Sequence, residues 1–331
     1  MTLGSILEII SDYFSKHFEE IFKSSHPIIP PNLEGLVSPC ISDRENFDLS
    51  RIPNASEIKN VVWDMNPLKA LGPDGFPSLF FKRYRDIVGP QVIVVVQSFF
   101  QDGWLLSQSN QTYITLIPKK QGACSFNHFR PISLCNFYYG IISKILVLRL
   151  RPLLAKLIDP SQAAFVLDKW IAENVVVAQE VVHNFNKMKR KKGWVGFKVD
   201  FKKAYDSIEW NFILAVLRAL GFDHKFITLI HQCISTVSFT LLLNGFKSTS
   251  FTPGRGLRQG DPLSPYLFIL CSEVLSRIIN REVDRGAIQG VKLGPGAPPI
   301  AKLFYADDVL LFCRDKIGEV DMLLNCVDKY Y

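Results

Sequence analysis

The sequence predicts an α+β fold, with helices packed on one face of a largely antiparallel sheet, and three observations lead there. From residue 194 onward the order reads strand, two helices, hairpin, helix, strand pair. Residues 111–190 are helix-rich around one basic strand–loop and read as a separate lobe. Hydrophobic residues make up 48% of the 331-residue chain, enough to bury a sizeable core.

The elements follow in order. Leu3, Ile6, Ile9, Ile10, Tyr13, Phe14 and Phe18 fall at helical spacing, predicting a helix over 3–22. Residues 24–53 are rich in Pro, Ser and Asn and read as a linker or irregular wrap. Asn54 followed by Glu57 is a capping-box pattern opening the next helix, with Ile58, Val61, Val62 and Met65 on one face. "LGPDGFP" (71–77) is a loop, and 78–101 a second helical stretch. "TYITLIPK" (112–119) reads as a strand, 133–158 as a long helix and 170–189 as another, running into "KMKRKK" (187–192). "WVGFKVDF" (194–201) is a strand by β-propensity and alternation. Helices at 209–220 and 224–235 precede a hairpin over 238–251, whose Asn244-Gly245 is the strongest two-residue turn signal. A Gly-rich loop, "TPGRGLRQGDP", opens a helix from Ser264 to Glu282.

Bulk properties narrow the partners. A formal net charge of +7 favours a polyanion, nucleic acid first. The seven cysteines include no CxxC pair and read as reduced thiols, neither a disulfide framework nor a zinc site. The N-terminus lacks a signal-peptide pattern, and the apolar runs are too short to span a bilayer. The expectation is a soluble intracellular protein, nuclear or cytoplasmic, with no membrane partner.

The last strand pair, "FYADDVLLF" (304–312), places two aspartates between apolar runs. A plain surface hairpin tip is one reading, but a tight turn wants Gly or Asn at positive φ, and this one offers Ala306. Neighbouring, partly buried carboxylates repel, and a divalent cation relieves that. Asp200, ending a β-prone strand before a helix-prone run, supplies a third carboxylate; its plainer reading is a helix N-cap. Asp200, Asp307 and Asp308, converging from the ends of two adjacent strands, would form a ligand set for two Mg²⁺ ions about 4 Å apart, the arrangement that clamps an in-line phosphoryl displacement.

"FKVDFKKAYDSIEW", "GLRQGDPLSPYLFIL" and "LFYADDVLLF", in that order, resemble the three palm motifs of reverse transcriptases. The likeness is closest to non-LTR (LINE-type) retrotransposons, particularly those of flowering plants. It continues upstream through "NPLKALGPDGFPSLFFKRY", "TYITLIPKK", "FRPISLCNFYYGIISKIL" and "SQAAFV", covering roughly residues 50–331.

The resemblance implies right-hand polymerase fingers and palm, with a ferredoxin- or RRM-like palm sheet carrying helices on one face. The expected division is 1–53 as N-terminal helix and linker, 54–193 as N-terminal extension and fingers, and 194–331 as palm. It makes Asp200, Asp307 and Asp308 the metal-binding catalytic carboxylates, with Phe201 lending its backbone carbonyl. It makes Tyr205 the aromatic gate against a ribose 2′-OH. Gln259 and Gly260 would pack on the incoming nucleotide and the template. Lys119, Lys120 and Arg130 would hold the triphosphate, a task that suits a planar guanidinium. The implied partners are an RNA template, a DNA primer and dNTPs; the implied cofactor is Mg²⁺, two ions, with Mn²⁺ as a substitute. "KMKRKK" would touch template backbone or serve as a nuclear-localisation patch, a solvated loop being the plainer reading.

Some positions depart from the family pattern. Leu71 stands where proline is usual, Gly140 where lysine is common, and Glu173 where aspartate is typical. The resemblance also implies further palm motifs and a thumb beyond Tyr331, so the expected molecule has its thumb missing. Two other readings stand beside the RNA-directed DNA polymerase: a non-catalytic nucleic-acid-binding remnant of a retrotransposon, and a reading frame that yields no stable protein. An RNA-directed RNA polymerase is disfavoured by "YADD" and by the aromatic at Tyr205.

Overall fold

The computed structural model describes residues 3–28, 33–187 and 193–330. Along the chain these form α1 (Leu3–Ile21), α2 (Leu33–Leu36), α3 (Asp43–Ser50), α4 (Ala55–Asp64), α5 (Ser78–Arg83) and α6 (Arg85–Asp102). Strands β1 (Gln111–Pro118) and β2 (Phe129–Cys135) precede α7 (Phe137–Leu150), α8 (Leu154–Leu157) and α9 (Ile171–Lys187). Then come β3 (Trp194–Asp200), α10 (Ala204–Ser207), α11 (Trp210–Leu220), α12 (His224–Ser235), β4 (Ser238–Leu243) and β5 (Phe246–Lys247). The series ends with α13 (Ser264–Asp284), β6 (Lys302–Tyr305), β7 (Asp308–Arg314) and α14 (Ile317–Tyr330). Among the described residues no helix is long and apolar enough to cross a membrane.

The mixture of helix and sheet agrees with the expected class, but four local expectations need correction. The stretch 24–53 holds a capped helix. Ser42 and Glu45 satisfy each other's backbone N–H groups in a full capping box at the start of α3. Asn54 does cap α4, accepting from the Glu57 N–H at 2.8 Å. The box stays half-made, because the Glu57 carboxylate turns to Arg51 and Arg149 instead. The helix expected over 133–158 begins later and breaks early. "FRPISLC" is strand β2, and Pro152 ends the regular helix. Pro131 is tolerated there because β2 is an edge strand. The stretch 78–101 is two helices parted at Tyr84.

The chain gathers into two compact units. Unit 1 comprises Met1–Ile29, Ile41–Leu150 and Tyr205–Ser264; unit 2 comprises Pro30–Cys40, Arg151–Ala204 and Pro265–Tyr331. Unit 1 holds a four-stranded sheet in the order β2-β1-β4-β5. β4 runs parallel to β1, so the hairpin expected to join the sheet of β3 pairs elsewhere. Its turn is as expected: Leu243 pairs with Phe246 across Asn244 and Gly245, both at positive φ. Phe18 of α1 and Phe22, just past its end, pack on this sheet against Ile114, Phe239, Leu241 and Phe251. α7 is apolar almost all round and buried accordingly.

Unit 2 holds an antiparallel three-stranded sheet, β3-β7-β6. Side chains alternate between its faces. One face carries Leu303, Leu310 and Phe312, packed with Val177, Val181 and Phe185 of α9. The other carries Val309, Leu311 and Cys313, all buried. The sheet is therefore buried on both faces over its middle, where the sequence suggested helices on one face only. All seven cysteines are free thiols.

Candidate active site

The carboxylates lie at one end of the unit 2 sheet. The register of β3 with β7 sets Asp200 directly opposite Asp308. Tyr305 pairs with Asp308 to close the β6–β7 hairpin, leaving Ala306 and Asp307 as its two-residue turn. The sequence argument against a tight turn here does not hold: Ala306 itself takes the left-handed conformation, φ 52°. Alternation puts Lys198, Asp200 and Asp308 on the face that α9 covers further along; at this end that face is open. Like charges directly opposite each other repel. Lys198 answers diagonally, its Nζ 3.0 Å from an Asp308 carboxylate oxygen, with both side chains more than half exposed. That hydrogen bond, then the charges of Asp308 and Asp200, push the Lys198 ammonium above the ordinary lysine range.

The structure therefore brings Asp200 and Asp308 together and sets Asp307 beside them in the chain. Among the described residues it does not draw three such side chains into a metal-holding group. Phe201 follows Asp200, and its carbonyl accepts from the Ala204 N–H at 3.3 Å.

The other sequence-predicted residues lie in unit 1. Tyr205 opens the segment that the Gly-rich loop lies along. The Leu257 N–H donates to the Tyr205 carbonyl at 2.7 Å, and the Gly256 N–H to the Ile208 carbonyl at 2.8 Å. A Cβ at Gly256 would come within 2.7 Å of the Asp206 carbonyl oxygen, so the loop needs glycine to approach this closely. Gln259 donates from Nε2 to Asp206 at 3.1 Å, and its carbonyl accepts from Ser133 of β2 at 2.7 Å. Gly260 is exposed, at φ 107°.

Residues that sequence reasoning missed hold this loop from below. Arg258 and Asp261 flank Gln259-Gly260 and are both buried. The Arg258 guanidinium donates to Asn110 at 2.6 Å and to the Cys233 carbonyl at 2.8 Å, lies 3.3 Å from Asp261 and covers the Tyr139 ring. Asp261 also accepts from the Tyr139 and Ser143 hydroxyls, each at 2.5 Å. Burial works to lower the Arg258 pKa, but Tyr139, Cys135, Asp261 and Cys233 together raise it further above its ordinary value. The available signal was the "RQGD" spacing itself, opposite charges three apart beside an apolar run.

Lys119 follows β1, its N–H donating to the His128 carbonyl at 2.8 Å; Arg130 stands on β2 opposite Ile117. Lys119, Lys120 and Arg130 are exposed, and none has an acidic partner among the described residues. The basic run 187–192 lies outside the described residues apart from the backbone of Lys187.

Residues 117–330 match the family described as reverse transcriptase (RNA-dependent DNA polymerase). Over 98% of its length the chain is 26% identical to an uncharacterised 149 kDa protein of transposon TX1 from Xenopus laevis. Over 78% it is 29% identical to the retrovirus-related Pol polyprotein of the type-2 retrotransposable element R2DM from Drosophila melanogaster. The chain spans about a quarter of the length of each of these curated relatives, 24% and 23%. A 67-residue stretch is 51% identical to the mitochondrial protein AtMg01250 of Arabidopsis thaliana, covering 20% of this chain and 55% of that protein. The family match takes in both strands that carry the aspartates and the loop that carries Gln259, and the relatives from transposon TX1 and retrotransposable element R2DM extend it upstream. The chain belongs to the reverse transcriptase family, in the form carried by non-LTR retrotransposons.

Proposed function

We propose that this chain carries the nucleotidyl-transfer site of an RNA-directed DNA polymerase, copying an RNA template onto a DNA primer. The observation that carries the reading is the register of Asp200 against Asp308, beside Asp307, at the open end of a sheet in a chain of this family.

The donor set suits a hard divalent cation. Three carboxylates and the Phe201 carbonyl offer only oxygen, the ligand type that Mg²⁺ prefers. The Lys198 ammonium held on Asp308 supports the same point, since this end of the sheet already attracts a positive charge. Asp200, Asp307, Asp308 and the Phe201 carbonyl would hold the ions, Mg²⁺ or Mn²⁺. When bound, they would supply charge neutralisation at the phosphate and a more acidic primer hydroxyl.

In the reaction the primer 3′-oxygen bonds to the α-phosphorus of a dNTP, the bond from that phosphorus to the bridging oxygen breaks, pyrophosphate leaves, and the hydroxyl proton passes to solvent. Tyr205 would close the space beneath the sugar against a 2′-OH. Gln259 and Gly260 would pack against the nucleotide and the template. Lys119, Lys120 and Arg130, exposed and without acidic partners among the described residues, would bind the triphosphate. The unit 2 sheet would be the palm and the β1–β2 hairpin part of the fingers.

The test is primer extension with an RNA template, an annealed DNA primer, dNTPs and Mg²⁺. Wild type is expected to extend the primer and Asp307→Ala to leave it unextended. Folded wild-type protein that retains RNA but extends nothing would favour the non-catalytic binding remnant.

A further inference from the structure

The Ala306–Asp307 turn is built from residues that do not favour it. A two-residue turn whose first position alone has positive φ normally takes glycine there. Ala306 is that residue, and it is buried. Holding a non-glycine residue left-handed costs about 1 kcal/mol or more. Something outside the hairpin must stabilise it.

The segment Ser161–Ala164 lies alongside β6. Gln162 bridges to Phe304 in parallel sense, the Phe304 N–H donates to the Ser161 carbonyl at 2.9 Å, and the Ala163 N–H donates to the Phe304 carbonyl at 3.1 Å. Asn174 of α9 donates to both of those carbonyls. Asp159 fastens the segment at the start of β6, accepting from Lys302 at 3.2 Å and from Asn280 at 2.8 Å. Gln162 fastens it at the other end. Its Oε1 accepts from the Ala164 N–H at 2.9 Å and from the Ala306 N–H at 3.1 Å.

Two backbone N–H groups aimed at one oxygen fix the orientation of the amide. The Nε2 on the other side is buried with no partner among the described residues, and Gln162 is 3% exposed. An unpaired buried donor costs about 1–3 kcal/mol. Packing alone would favour leucine at such a position. What glutamine supplies and leucine lacks is the acceptor for Ala306.

We propose that Gln162 is a positioning residue: it captures the Ala306 N–H and thereby holds the left-handed turn that presents Asp307 and Asp308. Its functional consequence rests on the reading that these carboxylates hold metal; the hydrogen bond itself does not.

The experiment follows hydrogen exchange at the Ala306 amide and Mn²⁺ binding by electron paramagnetic resonance. It uses the full chain as wild type, Gln162→Leu, Gln162→Glu and the double variant Gln162→Leu with Ala306→Gly. Gln162→Leu should speed Ala306 exchange at least about fivefold, the worth of one hydrogen bond, and weaken Mn²⁺ binding by a similar factor. Amides in the β3–β7 ladder should exchange as before. Glycine at 306 takes the turn without strain, so the double variant should regain most of the Mn²⁺ affinity. Gln162→Glu keeps an acceptor and should keep Ala306 protected; it also serves if the leucine variant fails to fold. Unchanged Ala306 exchange in folded Gln162→Leu would overturn the proposal. So would weakened Mn²⁺ binding that glycine at 306 does not restore, or an unprotected Ala306 in folded Gln162→Glu. If wild type binds no Mn²⁺ that Asp307→Ala abolishes, the metal reading fails, and Ala306 exchange alone decides the role of Gln162.

Discussion

The loop around Arg258 and the open end of the β3–β7 ladder treat charge in opposite ways. In the loop, Arg258 and Asp261 are buried and every charged edge finds a partner: an amide, a carbonyl, two hydroxyls, an aromatic face and each other. At the sheet end, Asp200 and Asp308 face each other in the open, answered by one lysine that is itself mostly exposed. A buried pair so fully satisfied belongs to architecture, since leaving either member alone would be severe. An exposed like-charge pair adds nothing to stability. The two motifs contribute differently: one motif's charges hold a loop in place, the other's stand open to solvent.

Asp261→Asn or Arg258→Met should each destabilise the protein by about 3–5 kcal/mol, the usual result of stranding one member of a buried pair. Denaturant unfolding measures this, and a loss under 1 kcal/mol would remove the contrast.

A smaller effect is expected in unit 2, where the buried Lys302 pairs with the partly buried Asp159. Burial raises the Asp159 pKa, but the Lys302 ammonium and hydrogen bonds from Ser161 and Asn280 outweigh it, bringing it from the ordinary 3.8 to about 2. A folded-state pKa below the unfolded value stabilises above the unfolded value and is lost as pH falls through the folded one. Asp159 should thus contribute about 2 kcal/mol that disappears between roughly pH 4 and pH 2. Asp159→Asn should flatten that acid limb in pH-dependent melting. Glu273 has the opposite sign. Burial raises its pKa, so its favourable contribution is complete below the ordinary 4.5 and is lost as pH rises through the folded value. Glu273→Gln should therefore stabilise less at pH 4 than at pH 7.

The smallest effect is expected at Lys198. Its ion pair with Asp308 is exposed, and Lys198→Ala should leave stability in denaturant unfolding nearly unchanged. If the sheet end is a cation site, removing the competing ammonium should tighten Mn²⁺ binding there; a weaker affinity would mean that Lys198 supports the site instead.

Much of this was legible in the sequence where the signal is local. The Asn54 cap, the Asn244-Gly245 turn and the strands that carry the aspartates all declare themselves within a few residues. The capping box at Ser42 was just as local but was outweighed by the polar, proline-rich composition around it. Strand β2 was hidden because Pro131 argues against a strand until the neighbours show that β2 is an edge. The parallel pairing of β4 with β1 joins residues more than a hundred positions apart and leaves no trace in periodicity. Ala306 is the most instructive case. Local turn chemistry excludes a tight hairpin there, and a hydrogen bond donated by the Ala306 N–H to Gln162, 144 residues away in sequence, supports one.

On the proposed function, the exposed carboxylates serve chemistry and the buried charges serve the fold. Its most direct test is DNA synthesis on a primed RNA template by wild type and Asp200→Asn, matched for folded protein by melting. Removing one of two opposed charges should leave the melting temperature unchanged or higher. Wild type should extend the primer, while the equally stable Asp200→Asn should lose at least about a thousandfold in rate, as expected when a ligand of a two-metal phosphoryl-transfer site is removed. Equal extension by both proteins would contradict the proposed function.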